Sequence, residues 1–165
     1  VGAITPFLHT FRERERGLQA RRAARDRARP LPSRSDLRGA PMSLFFFYGT
    51  FMRGQPGEAN LAGTNFLGEA RTAPRYRIYS IRDEHPHVVE VEAGGASIAG
   101  QLHDVPEELW ARIFAAEPPG LHFGKVELDD GRVVDTMFGE PGYAETDGTD
   151  ITEHGGWAAY VATMD

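Results

Sequence analysis

Cysteine is absent from all 165 residues. That removes disulfides, thiolate metal sites and a cysteine nucleophile together, and leaves no mark of an oxidising compartment. No run approaches the roughly 18 apolar residues that a membrane-crossing helix needs. Lysine is nearly missing: Lys125 stands alone beside 17 arginines. No phosphate loop, dinucleotide fingerprint, heptad or internal repeat is visible, and Ser43, Ser80 and Ser97 lack the surroundings of a nucleophile elbow. What is present, 41% hydrophobic and 25% charged residues, suits one globular, cytosolic domain that neither spans a membrane nor stays unfolded.

The net charge of −6 hides a division. Residues 1–41 carry ten Arg against four acids, a balance of +6, and the rest of the chain holds −12. An acidic body repels phosphate backbones, so nucleic acid is not the expected partner. The first 41 residues are Arg/Ala-rich, are broken by Pro30 and Pro32, and show no sustained apolar period that would bury a face. Met42-Ser43-Leu44 stands immediately before the first strand-like run, as a start codon would. Residues 1–41 are therefore expected to be a disordered extension or an over-extended gene start, and residues 42–165 the folded domain.

Leu44-Phe45-Phe46-Phe47-Tyr48 reads as a buried strand that Gly49 ends in a tight turn. Further strands are expected over 65–71, 76–81, 88–92 and 97–105. Pro106 with Glu107 and Glu108 opens a helix to about Ala115, which Pro118-Pro119-Gly120 stops. Two more strands, 123–128 and 132–138, are joined by Asp129-Asp130-Gly131, a hairpin signal. Residues 139–148 read as loop, and 157–161 as an amphipathic turn. With no βα repeat, the class is α+β: a small mixed β-barrel with flanking helices.

Chemistry concentrates at Tyr48-Gly49-Thr50-Phe51-Met52-Arg53-Gly54. Glycine brings the backbone close to a ligand, and consecutive N–H groups in such a turn form an anion-binding nest that holds a carboxylate without Lys or Arg. The six histidines add less. His85-Pro86-His87 has two possible ligands and no third group at metal spacing, so it reads as loop and no metal site is expected. His103 and His154 read as ordinary polar positions. His122 and Phe123, close to Glu117 in the chain, are expected to line a pocket.

The order of Phe47 to Gly54, Phe66-Leu67-Gly68, Tyr76-Arg77-Ile78-Tyr79, Gly100 to Val105 and then Glu117 resembles the gamma-glutamylcyclotransferase-like superfamily. Within it the chain looks most like the allophanate hydrolase C-terminal domain and its free-standing relatives. Arg71-Thr72-Ala73-Pro74, Val126 to Arg132, Asp150-Ile151-Thr152 and Gly155 to Tyr160 carry that likeness. The resemblance implies a cavity for a small amino-acid or carboxylate ligand. It also implies substrate held on the loop of Tyr48, Gly49, Thr50 and Phe51, with Glu117 as general acid/base. The implied reaction converts a γ-glutamyl amine or peptide into 5-oxoproline and a free amine. It needs no cofactor, because both reacting groups belong to one molecule. Where the allophanate hydrolase domain has a His in the loop after its first strand, this chain carries Phe51. Two alternatives accompany this reading: action on a small carboxylated carbamate in urea or amide nitrogen metabolism, and a non-catalytic module that binds small carboxylates. A homodimer is compatible with any of them.

Overall fold

The structure, a computed structural model, describes residues 42–165. The expected extension over residues 1–41 lies outside the described residues. Among the described residues, eight strands and three α-helices follow in the order β1 (Met42–Phe47), β2 (Asn65–Arg71), β3 (Tyr76–Ile81), β4 (His85–Glu90), β5 (Ala99–Pro106), α1 (Trp110–Ala116), β6 (Leu121–Glu127), β7 (Val133–Gly139), α2 (Pro141–Asp147), β8 (Gly148–Asp150) and α3 (Trp157–Val161). The class is α+β, as expected. The strands fall into two sheets rather than one closed cylinder: five strands in the order β2-β5-β1-β7-β6, and three in the order β4-β3-β8.

The aromatic run of β1 takes the centre of the larger sheet, antiparallel to β5 and parallel to β7. Phe45, Phe46 and Phe47 are all buried, so both faces of this strand lie in the core. That burial is why its sequence is a continuous apolar run rather than an alternation. On one side Trp110 of α1 meets Phe45 edge-on, with ring centroids 4.8 Å apart. On the other, Tyr76 of β3 stacks on Phe138 of β7 at 5.9 Å and joins the two sheets. The join also needs a residue without a side chain. A Cβ at Gly139 would stand 2.5 Å from the Cβ of His87, so only glycine lets β7 pass β4 this closely.

Three local expectations are corrected. The 139–148 segment is not all loop, because Pro141 opens α2 at its first turn. That helix buries only Ala144, against Tyr79 and Val89, so its sequence carries no apolar stripe to read. The expected helix from Pro106 begins as a short 3-10 turn, Glu107–Leu109, before α1. His85-Pro86-His87 belongs to β4, where Pro86 sits opposite Ser80. β4 is the edge of its sheet, and an edge strand tolerates a residue with no N–H to give.

The β3–β4 hairpin turns on two non-glycine residues in left-handed backbone, Arg82 at φ 54° and Asp83 at φ 59°. Such residues cost about 1 kcal/mol or more each and persist only when their surroundings hold them. Here the Ser80 hydroxyl donates to Asp83 Oδ1 at 2.8 Å, and the Tyr160 hydroxyl of α3 donates to the same oxygen at 2.6 Å.

Two histidines are buried in this frame. His87 is fully buried with neither ring nitrogen hydrogen-bonded, and burial, then neighbouring His85, pushes its pKa down to about 4. His103, buried beside Thr64, is pushed down to about 4 by burial and then by Arg53. Both stay neutral in the folded protein while the unfolded chain takes up protons below about pH 6.5. Their contribution to stability is complete above that pH and is lost as pH falls towards about 4, by up to about 3 kcal/mol for each ring. Urea melts between pH 7 and pH 4 measure this loss, and His87→Leu should make it shallower by one proton's worth. An unchanged slope in that variant would show that His87 is not the group responsible.

Candidate active site

Beyond Phe47 the chain leaves the sheet, and Tyr48 stays buried at the seam between the two sheets. Its hydroxyl donates to the carbonyl of Met137 on β7 at 2.6 Å and accepts the N–H of Val88 on β4 at 3.4 Å. Burial, and then the nearby Glu117 carboxylate, hold the phenol far above its ordinary pKa. Tyr48 therefore stays protonated and committed. It fixes the position of the loop and has no proton to exchange.

The turn after Tyr48 divides its amides into two groups. Met52 N–H returns to the Gly49 carbonyl at 3.2 Å, Arg53 N–H to Gln101 Oε1 at 2.9 Å, Gly54 N–H to Glu58 Oε2 at 2.9 Å and Gln55 N–H to the Met52 carbonyl at 3.0 Å. Among the described residues, the N–H groups of Gly49, Thr50 and Phe51 have no such acceptor. These three residues line a small hollow that opens to solvent. Gly49 is the tight point, since a Cβ there would lie 3.0 Å from Cγ of Pro86 on β4.

Glu117 enters the same pocket from the opposite side of the sequence. It caps α1 in extended backbone, φ −67° and ψ 144°, as a residue before proline tends to do. Its carboxyl has no hydrogen-bond or ion-pair partner among the described residues, and no Lys or Arg lines the pocket. Phe45, Phe47, Leu121 and Met137 form apolar wall. Burial in that setting raises the Glu117 pKa to about 7. A group poised there exchanges protons with little driving-force penalty near neutral pH.

Two stretches almost seventy residues apart thus meet in one hollow: Tyr48, Gly49, Thr50 and Phe51 on one wall, Glu117 on the other. The phenyl ring of Phe51 is buried and belongs to the core. The expected lining by His122 and Phe123 is corrected: alternation turns His122 away, and Phe123 lies too far along β6. His122 faces away, exposed, beside the Phe138 ring at 6.1 Å. Phe123 shares the inward face of Leu121 but lies further along β6, among Phe45, Trp110 and Phe114, and is 49% exposed. Leu121 does the lining instead. Sequence reasoning missed His85 and Pro86, which form the third side. The one signal for them was a proline inside a strand-like apolar run.

The model of the allophanate hydrolase C-terminal domain family matches residues 43–162. The urea amidolyase of Lachancea kluyveri is 28% identical over 121 residues, covering 68% of this chain and 7% of that protein. The chain thus spans a small part of the curated relative it matches. Among solved structures, c4763, described as a uropathogenic E. coli-specific protein, is 35% identical over 74% of this chain and 97% of its own, with a TM-score of 0.70. Allophanate hydrolase of Kluyveromyces lactis is 25% identical over 81% of this chain and 23% of its own, with a TM-score of 0.71. With this match running from the first strand to the last helix, the chain belongs to the allophanate hydrolase C-terminal domain family.

Proposed function

We propose that the pocket is an acid/base site for a small carboxylate-bearing amide, and that its reaction is the cyclotransfer of a γ-glutamyl group. The observation that supports this reading most is the pairing of an uncompensated Glu117 with three unoccupied amides across an apolar hollow. The amides hold the substrate carboxylate. The Glu117 carboxylate takes a proton from the substrate α-ammonium. The freed amine attacks the γ-carbonyl carbon and forms the ring C–N bond. Collapse of the tetrahedral intermediate breaks the bond to the departing nitrogen, which takes that proton from Glu117, while the ring nitrogen gives up its second proton through Glu117 to the released amine. The products are 5-oxoproline and an amine. The ammonium consumed at one nitrogen reappears at the other, and no water enters the balance. Confinement in the pocket supplies the attack geometry, which is worth several kcal/mol in reactions of this kind.

A second reading is favoured by the family itself: removal of carbon dioxide from a small N-carboxylated carbamate. The same amides would hold carboxylate, but Glu117 would have to be the acid, protonating the nitrogen from which the carboxyl group leaves. The two readings place opposite demands on one carboxyl. Cyclotransfer requires it ionised in the free enzyme, whereas decarboxylation requires it protonated.

The pH profile therefore separates them. For cyclotransfer, kcat/KM for 5-oxoproline release should rise through about pH 7 to a plateau. Carbon dioxide release would fall over the same range. Glu117→Gln should lower the productive rate by about 10²–10⁴-fold and erase that limb while the fold persists. Full activity in the variant would remove Glu117 from the mechanism. The same substitution has a stability consequence of definite sign. Because folding raises the Glu117 pKa, its ionised form opposes folding above about pH 7 and the protonated form does not below about 4.5. Glu117→Gln should therefore be more stable than wild type at pH 8, with the gap closing by pH 5.

Gly49→Ala tests the opposite wall. The added methyl presses on Pro86 at 3.0–3.1 Å and should cost about 1 kcal/mol of stability or more. It should weaken 5-oxoproline binding by roughly tenfold, as displaced amides would. Unchanged affinity, read by calorimetry, would show that these amides do not hold the ligand.

A further inference from the structure

The reaction proposed above places negative charge at two points, the substrate carboxylate and the carbonyl oxygen of the tetrahedral intermediate. A short turn with three adjacent amides serves one of them. A count of the other donors in the lining is revealing. The Tyr48 hydroxyl is spent on the Met137 carbonyl, and the buried Thr136 hydroxyl on the Phe46 carbonyl at 2.7 Å. No Lys or Arg lines the pocket among the described residues. What is left is the hydroxyl of Thr50, on the same turn as the amides, and His85, on the other sheet.

His85 has the properties of a group held for a ligand. It lines the pocket, and its Nε2 is buried with no hydrogen-bond partner among the described residues. Such an atom costs about 1–3 kcal/mol unless something satisfies it. Burial lowers the pKa of the ring, so the imidazole is neutral at working pH and one tautomer carries hydrogen on Nε2. Fully buried His87 stands behind it, ring centroids 5.2 Å apart, and backs the ring from within the sheet. The backbone is fixed as well. His85 pairs with Ile81, directly after the strained Arg82–Asp83 turn that Ser80 and Tyr160 hold closed. Pro86 then packs close to Gly49, leaving little room there for a Cβ. Strain held by surrounding bonds beside a cavity is a common accompaniment of a positioned functional group.

We infer that His85 is a second hydrogen-bond donor of this pocket, its Nε2–H directed to the substrate carbonyl oxygen on which negative charge develops. The inference rests on the cyclotransfer reading. The proton stays on the ring throughout, so His85 stabilises charge while Glu117 moves protons. A neutral donor aimed at the developing oxyanion acts mainly on the chemical step.

Two measurements test it. His85→Leu, of similar size, should lower kcat by about 10²–10³-fold and change KM by no more than roughly threefold. His85→Gln, which returns an N–H near the position of Nε2, should recover about tenfold or more of the loss. A raised KM with kcat intact, or equal losses in the two variants, would overturn the assignment, since a carboxylate contact or a packing role predicts those results. The second measurement needs no turnover. In protein carrying ¹⁵N-histidine, titration with 5-oxoproline should move the Nε2 resonance of His85, because the lactam carbonyl occupies the place of the reacting one. Absence of that shift overturns the assignment whether or not the wild type turns over. A shift without 5-oxoproline release by the wild type would instead leave the contact standing and remove the cyclotransfer reading.

Discussion

The hydroxyl of Tyr48 has one proton to donate, and the carbonyl of Met137 takes it at 2.6 Å in a place closed to solvent. Because the phenol also accepts from Val88, one side chain ties β1 to β7 and to β4, which lies in the other sheet. The following turn is thereby hung at the seam, where Gly49, Thr50 and Phe51 line the pocket. The same bond removes the phenol from acid/base chemistry. Among the described residues Glu117 finds no cation or hydroxyl to share its charge with, and burial raises its pKa to about 7. A seam fixed by a spent hydroxyl and an acid left without a partner are two sides of one arrangement.

The site carries two unfavourable groups at once: the buried Nε2 of His85, without a hydrogen-bond partner among the described residues, and the Glu117 carboxyl in an apolar setting. Each weakens the folded state by an amount comparable to a lost hydrogen bond. The surroundings offset this through an aromatic wall of Phe45, Phe47 and Trp110 and through the Tyr76–Phe138 stack. The strained Arg82–Asp83 turn fits the same account, since bonds from two other elements hold it in place. Stability given up at a pocket and regained in the adjoining core is the pattern of a surface shaped by ligand rather than by folding alone.

Much of the frame was legible in the sequence, for identifiable reasons. Phe45 to Phe47 announced a central strand because a strand buried on both faces leaves no polar alternation. Asp129-Asp130-Gly131 announced the β6–β7 hairpin, whose closing bonds run from Leu128 to Arg132. α2 was illegible because a helix that buries a single alanine has no period to detect. β4 was obscured by Pro86, which reads as loop until the strand is known to be an edge. For the site, the resemblance carried Glu117 and the Tyr48–Phe51 turn to positions that converge in space. It gave no purchase on His85, whose neighbours across the pocket lie more than thirty residues away along the chain. The choice of His122 and Phe123 failed on a simpler matter. Closeness to Glu117 in the chain says neither which face of β6 a residue takes, which turns His122 away, nor how far along the strand it lies, which leaves Phe123 beside Trp110 and Phe114.

Membership of the allophanate hydrolase C-terminal domain family fixes the frame more firmly than the reaction. The pocket explains why. A carboxyl whose pKa lies near 7 is divided between its two forms at neutral pH, so one geometry serves as base or as acid according to the substrate it meets. The amides make no choice either, since any carboxylate satisfies them. Discrimination must then come from the third side, where the proline and histidine of β4 set what fits between the turn and the carboxyl. A side chain at position 51 that donates through its ring would add charge stabilisation from the turn. Phe51 withholds it and keeps that wall apolar. On the cyclotransfer reading proposed above, the burden of steadying a developing oxyanion therefore passes from the turn to His85 on β4.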